Sequence, residues 1–492
     1  METLSPTPPP AAAPAGAPGE TPPPKKEGAK AAAKNAIRQL LPLVLILVGV
    51  KMFVADIRVI PSGSMEPTLH GRPNSGDRIL FRHFFGSRPQ RWEVFVFKFP
   101  YEESLAYGCA PASVRPFKGE DFIKRCVGLP GEELALVNGD VFTRANAREP
   151  ARRQVKPDSL QRRLWLPVYR EGFARLTPEE LAVFWEGAAA PGVTIAGATL
   201  KIAAPAPLKL RFQPHDRSGR TGSVLDRYIR RQAVTYTCPH CRHQTRQTVF
   251  LPQMSAHCGH CGQYLTEADV TYYDYFPGYP RPEMPPAAAY GNDGNKSRDV
   301  WHRVRDLRWR GRARLSPGAV VAAELYDDDR VARAEFRAEG DGQATVALSL
   351  DGREAPGTRA GFALPSGHWA ELEFYRCDGE YRAFVDGKPL FCAAPDGHAM
   401  PASRMECQTS GVGLSVQGAA EFQEIAVDRD IHYFSRSRLP VFIPVPEDGY
   451  LGFGDNCPAS NDSRDWGPVP EKNLVGKAVA VWWPLDAMRI IH

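Results

Sequence analysis

The 492-residue chain has little net charge. Its 61 lysines and arginines against 56 aspartates and glutamates leave a formal balance of +5. That is small for this size, and part of it sits in a basic N-terminal arm, so no nucleic-acid partner is expected. Ten cysteines are too few and too scattered for a disulfide scaffold. Four form two Cys-x-x-Cys pairs, and the rest stand alone at 109, 126, 377, 392, 407 and 457. Membrane-length apolar runs are lacking apart from one, and hydrophobic content is an ordinary 43 %, which excludes a polytopic membrane protein. The twelve histidines form no motif, and no serine, histidine and aspartate combination presents itself.

The single apolar run is QLLPLVLILVGVKMFVA, residues 39–55. Its length is at the short end for a transmembrane helix. Pro42 falls in the first turn, where it is tolerated, and Lys51 lies near the far end, where it snorkels to the interface. Before it, residues 1–36 are rich in proline and alanine and are expected to be a disordered tail. Lys25, Lys26, Lys30, Lys34 and Arg38 precede the run, so the N-terminus is expected in the cytoplasm and everything after Asp56 outside. The alternative is a cleavable signal peptide.

Shortly after the run comes Ile60-Pro61-Ser62-Gly63-Ser64-Met65-Glu66-Pro67-Thr68-Leu69. Two serines two apart point the same way on extended backbone, and Gly63 between them permits close approach of another chain. The stretch is neither Gly-x-Ser-x-Gly nor Ser-x-x-Lys, since position 67 is proline. A second segment follows at Asp121-Phe122-Ile123-Lys124-Arg125-Cys126-Val127-Gly128, and a third at Gly454-Asp455-Asn456-Cys457-Pro458-Ala459-Ser460-Asn461-Asp462-Ser463-Arg464. In that order the three segments resemble the motifs of bacterial type I signal peptidases. The resemblance covers about 40–142 and 440–484. Residues 57–142 read as short antiparallel strands, with alternation, aromatics and the turn Asn138-Gly139.

The resemblance implies a membrane-bound serine endopeptidase that removes signal peptides from exported preproteins. Ser64 would be the nucleophile and Lys124 its base. The backbone N–H of Ser64 and the hydroxyl of Ser62 would hold the oxyanion. Ser460 would orient the lysine, with Asp462 and Arg464 as a supporting ion pair, and Gly454 and Asp455 would form the turn that brings this loop in. Ile60, Met65, Leu69 and Ile123 would line small apolar pockets for Ala-like side chains. No cofactor is implied for catalysis. The implied place is the bacterial cytoplasmic (inner) membrane, single-pass, with the catalytic part on the outer, periplasmic side of the lipid bilayer. A lysine serves as base only when neutral, and burial can lower its pKa by roughly 3–5. On a strand Lys124 shares a face with Phe122 and Cys126, while Ile123 and Val127 point away. Two departures stand out. Arg91-Trp92-Glu93 replaces a usual Gly-Asp, which is expected to matter little. Cys457-Pro458-Ala459 replaces a usual Arg-Asp-Asn, which leaves the position of Ser460 open.

The two halves, 56–145 and 439–492, flank a large insertion at 146–438. Thr177-Pro178-Glu179-Glu180 predicts a helix running to Trp185. Cys238-Pro-His-Cys241 and Cys258-Gly-His-Cys261 have the spacing of a zinc ribbon, over about 234–266, with a closed structural site. Two disulfides or free thiols are the alternatives. Short strands between 298 and 430, joined by those at 198–213, predict a sandwich over about 195–430 that resembles laminin-G or concanavalin-like jelly rolls. Its ligand would be a carbohydrate or a protein, although a spacer role fits equally. The expected fold is thus mostly β: one N-terminal transmembrane helix and a signal-peptidase-type core split by a jelly-roll insertion. The insertion's ends should meet at one edge of the catalytic sheet, and replacing 150–436 by a linker should spare cleavage. The other functional reading is an inactive membrane-anchored protein that binds an envelope ligand through the sandwich.

Overall fold

Short strands of alternating burial build most of the chain. The computed structural model describes residues 55–66, 68–71, 76–84, 86–100, 120–173, 177–182, 184–214, 223–224, 230–238, 240–251, 256–257, 260–261, 264–265, 270–271, 302–328, 330–402, 407–435 and 441–492. The expected tail 1–36 and nearly all of the expected span 39–55 lie outside these residues. Among the described residues no helix is long and apolar enough to cross a membrane. The last residue of the expected span, Ala55, begins the strand Ala55–Val59.

Among the described residues the first sheet has eight strands. Its order is Ala55–Val59, Arg78–His83, Leu474–Trp483, Val94–Lys98, Asp121–Gly128, Gly449–Phe453, Val469–Pro470, with Arg489–Ile490 paired to Leu474–Trp483. The two ends of the chain therefore interleave. Leu474–Trp483 lies between strands from the first half, and Gly449–Phe453 lies beside Asp121–Gly128. The apolar residues drive this pairing. Ile60, Met65, Leu69, Ile79, Phe81, Val94 and Val96 pack with Ala478, Val481 and Ile491 in one buried cluster. Phe95, Phe97, Phe99 and Cys126 pack with Tyr450, Trp466 and Val469 in another. A second, four-stranded sheet has the order Ile443–Pro444, Glu133–Val137, Asp140–Arg144, Arg152–Arg153.

The insertion contributes a sheet of fourteen hydrogen-bonded strands. Its spine is Ser410–Arg429, which pairs with Thr199–Phe212, Leu307–Leu315, Val320–Asp327 and Leu166–Gly172. Where the sequence suggests two strands, at 411–416 and 422–427, the chain runs through as one. Gly418, at φ +83°, lets it pass at the middle without a break. The strand Arg330–Gly340 was not expected, because its arginines and glutamates mask the alternation of Ala332, Ala334 and Phe336, which are all buried. The helix begins as expected but covers only Pro178–Ala182. Trp185 instead joins the strand Trp185–Glu186, paired to Phe212, with its ring packed on Phe212 and Tyr169. Burying that indole in the core outweighs a further helical turn.

Residues Ile57–His492 form one compact unit. The ends of the insertion lie side by side, but in the four-stranded sheet and not at an edge of the eight-stranded one: Gly139 bridges to Tyr433, and Ile443 pairs with Leu134. A buried ionic cluster ties the insertion together at this junction. Lys156 Nζ lies 2.6 Å from Asp378 and 2.7 Å from Asp430. Arg153 reaches Asp140 at 3.0 Å and Arg376 reaches Asp306 at 2.9 Å.

Candidate active site

Ser64 sits in a single tight turn, Gly63–Met65, that follows the extended, exposed Ser62. Met65 is fully buried and anchors the turn in the core. Lys124 lies on Asp121–Gly128, paired with Phe95 on one side. Gly452 passes it on the other, and a Cβ there would come within 3.0 Å of Lys124 Cβ and 3.1 Å of the Phe95 ring. The absence of a side chain at 452 thus leaves room for the lysine. Lys124 is 3 % exposed and Ser64 8 %. Lys124 Nζ is 2.6 Å from Ser64 Oγ.

Burial depresses the lysine pKa from 10.5 to about 8. Asp462 and Asp455 pull it back upward and Arg464 pushes it down, but desolvation is the largest influence. As an ammonium, Lys124 donates to Ser64. Once neutral, its lone pair can accept the serine proton.

The third segment closes over this pair. Gly454 lies so near that a Cβ on it would overlap both Ser460 Oγ and the Ser64 carbonyl oxygen. Ser460 is fully buried at that point. Asn456 clamps the turn from the same side: its N–H donates to Ser64 O (3.1 Å) and its Nδ2 to Gly63 O (3.0 Å). Asp462 accepts from Gly454 N–H (3.0 Å) and from Arg464 Nη2 (2.7 Å), and the pair has no exposed side-chain area. The replaced stretch forms a tight turn, Cys457–Ala459, which delivers Ser460 to Gly454. Arg464 donates to Cys457 Sγ and to Cys457 O (3.1 Å), so the cysteine gives the guanidinium partners of its own.

Several residues here escaped the sequence reading. Arg125 grips Asp455 through both nitrogens, at 2.8 and 2.6 Å, with both side chains fully buried. Thr68 also donates to Asp455. Tyr433 OH donates to Asp455 Oδ1 at 3.3 Å, and Arg464 donates to Phe434 O at 3.2 Å while lying over the Phe434 ring. Asn456 was legible, standing beside Gly454 and Asp455 in the motif. Tyr433 and Phe434 carry no sequence signal at all. Trp92 proves consequential: it adopts φ +75°, the region where glycine is at ease. Arg125 donates to its carbonyl (2.6 Å), and Lys156 lies 5.0 Å from its ring.

Of the four expected pocket residues, Ile60, Met65 and Leu69 are buried in one cluster, and Ile123 packs half-buried against it. Cys238, Cys241 and Cys261 converge in a separate part of the insertion, and Cys258 lies outside the described residues.

A turn-borne serine beside a desolvated lysine belongs to serine peptidase chemistry. The family model described as "Signal peptidase, peptidase S26" matches residues 33–166 and 396–483. The chain is similar to "Probable signal peptidase I-2" of Synechocystis sp., 37 % identical over 101 residues, covering 20 % of this chain and 40 % of that one. It is similar to "Signal peptidase I" of Leptolyngbya laminosa, 35 % identical over 119 residues, covering 23 % and 52 %. A third relative, "Signal peptidase I" of Buchnera aphidicola, is 48 % identical over 56 residues, covering 11 % and 18 %. The chain thus spans about a fifth to a half of the length of these curated relatives. Among solved structures, a Crh5 transglycosylase in complex with NAG overlays with a TM-score of 0.28 at 9 % identity, covering 62 % of this chain and 95 % of that one. A likeness that weak carries no argument. In its two matched segments the chain is similar to peptidase S26 and to bacterial type I signal peptidases, a serine endopeptidase class.

Proposed function

We propose that the chain is a membrane-anchored endopeptidase that cleaves signal peptides from exported preproteins with a Ser64–Lys124 dyad. The observation that carries this is the 2.6 Å approach of Lys124 Nζ to Ser64 Oγ in a buried site that lowers the lysine pKa to about 8. Neutral Lys124 takes the proton as Ser64 Oγ attacks the scissile carbonyl, then gives it to the leaving amine. The acyl ester on Ser64 is hydrolysed by a water that Lys124 deprotonates in turn. Ser64 N–H and the Ser62 hydroxyl hold the oxyanion. Ser460, held by Gly454 and the Asp462–Arg464 pair, positions the lysine. Ile123 offers the accessible edge of the substrate pocket, and Ile60, Met65 and Leu69 form its floor. The inserted fourteen-stranded sheet is a jelly-roll-like sandwich in this reading, supported by the single apolar core its strands share. Residues 39–55 anchor the protein in the inner membrane, with the N-terminus cytoplasmic and the catalytic unit outside.

The test is cleavage of a precursor bearing an Ala-x-Ala site by the full chain in detergent. Ser64→Ala and Lys124→Ala are each expected to lose roughly a thousandfold in rate while keeping the fold. Near-normal cleavage by either variant removes the dyad. For sidedness, protease added to intact spheroplasts should digest the catalytic unit and spare residues 1–36, and the opposite pattern reverses the topology.

A further inference from the structure

The two Cys-x-x-Cys turns play no part in the dyad. Cys238 and Cys241 lie in the connection between Arg230–Thr237 and Gln244–Leu251, strands paired in register from Arg230↔Leu251 to Thr237↔Gln244. Cys261 lies in the connection between Ala256–His257 and Tyr264–Leu265, a ladder of only two residues on each side. So short a ladder does not hold itself together. The Sγ atoms of Cys238, Cys241 and Cys261 nevertheless all lie within 4.8 Å of one another.

Cys238 Sγ and Cys261 Sγ, one from each turn, lie 3.6 Å apart. A disulfide would need about 2.05 Å. Two thiolates on one tetrahedral zinc, each about 2.3 Å from the metal, stand roughly 3.8 Å apart. The backbone supports the same reading. In the first turn Cys238 N–H donates to His243 O (3.0 Å) and Arg242 N–H donates to Cys238 O (2.8 Å). Arg242, next after Cys241, adopts φ +61°, a conformation disfavoured for arginine that persists where the surroundings impose it. The residue next after Cys261 is Gly262, the type that adopts such a conformation freely. The rings of His243 and His260 stack at 4.8 Å and bring the two turns face to face.

We propose that Cys238, Cys241 and Cys261 ligate a single zinc ion that holds the two turns together. Cys258 supplies the fourth thiolate by its spacing, since it precedes Cys261 as Cys238 precedes Cys241. Four thiolates close the coordination sphere, so the metal is structural and its binding is coupled to the folding of this region. The deprotonated thiols also make binding pH-dependent, with release in acid.

Elemental analysis of the full chain, purified in detergent with zinc supplied, decides it. About one equivalent of zinc is expected. Cys238→Ser and Cys261→Ser should each lower occupancy at least tenfold, while Cys392→Ser, an exposed cysteine outside the cluster, should leave it unchanged. Because a serine variant could lose the metal by misfolding, Cys261→His serves as a second variant. It should retain the metal and shift the visible absorption of the cobalt-substituted protein. Wild-type chain with less than a tenth of an equivalent of zinc, with iron in its place, or with Cys238 disulfide-bonded by mass spectrometry overturns the proposal.

Discussion

Lys124 is the residue on which most of the account rests, and its burial has a cost that can be measured. Folded, it loses its proton near a pKa of about 8, against 10.5 for an ordinary lysine. Between those values the unfolded chain binds more protons, so wild-type stability rises with pH across that window. The penalty is complete only below pH 8. Replacing the lysine by an apolar side chain of similar length removes it. Lys124→Met is therefore expected to be more stable than wild type at pH 7, by up to about 3 kcal/mol from the pKa difference. That advantage should shrink steadily between pH 8 and 10.5, and urea denaturation at both ends of the window checks it. An advantage that stays constant with pH would mean that the lysine is not buried as a titrating group. The lysine itself was legible in the sequence, through its motif and through strand alternation that sets it with Phe122 and Cys126. The depth of its burial was not, because that depends on Gly452 and Phe95 from two other strands.

At the scale of elements, the site depends on how closely the loop after Gly449–Phe453 approaches the Ser64 turn. Gly454 is the point of contact. Gly454→Ala would push its new methyl into Ser460 Oγ and Ser64 O. Displacement of the nucleophile by a fraction of an ångström to one ångström is expected to lower kcat about a hundredfold. KM should move little, while the overlap with buried backbone should lower the thermal midpoint by several degrees. Wild-type kcat in this variant would show that the loop is not packed against the turn. The sequence singled out this loop by its Gly-Asp-Asn and its Asp462–Arg464 pair, and in the structure that ion pair and Gly454 lie beside the Ser64 turn. Two neighbouring segments were harder to read, for one reason: Trp92 was expected to matter little, and Cys457 left the position of Ser460 open. Trp92 and Cys457 each stand where side chains of other kinds are usual, and each is accommodated by long-range partners. For Trp92 these are Lys156 and Arg125, and for Cys457 it is Arg464. Neither partnership follows from local pattern.

At the scale of the whole molecule, the insertion is more than a passenger. Its ends meet in the four-stranded sheet, and the returning segment continues into the site. Tyr433 reaches Asp455, and Phe434 takes up Arg464. Leu164, Leu166, Ile431 and Tyr433 share a buried cluster with Val127, Leu451, Phe453 and Cys457. Removing residues 150–436 would therefore strip the back of the strand that carries Lys124 and of the loop that carries Ser460. Four large apolar side chains lost from one cluster, at about 2 kcal/mol each or more, amount to most of the stability of an ordinary domain. The linker variant is expected to lose cleavage together with cooperative unfolding, contrary to what the sequence alone suggests. A linker variant that melts cooperatively and cleaves a signal-site peptide at the wild-type rate would show that these contacts are dispensable. Contacts of this kind link residues hundreds of positions apart, and nothing in the motifs announces them.

The central claim, that Lys124 is the base for Ser64, is tested most directly by the pH dependence of kcat/KM on a signal-site peptide, measured with the full chain in detergent. The free enzyme is active when the lysine is neutral, so log kcat/KM should climb with unit slope and level off above an apparent pKa of about 8. A profile that is flat from pH 6 to pH 10, or that levels off below pH 7, contradicts a lysine base.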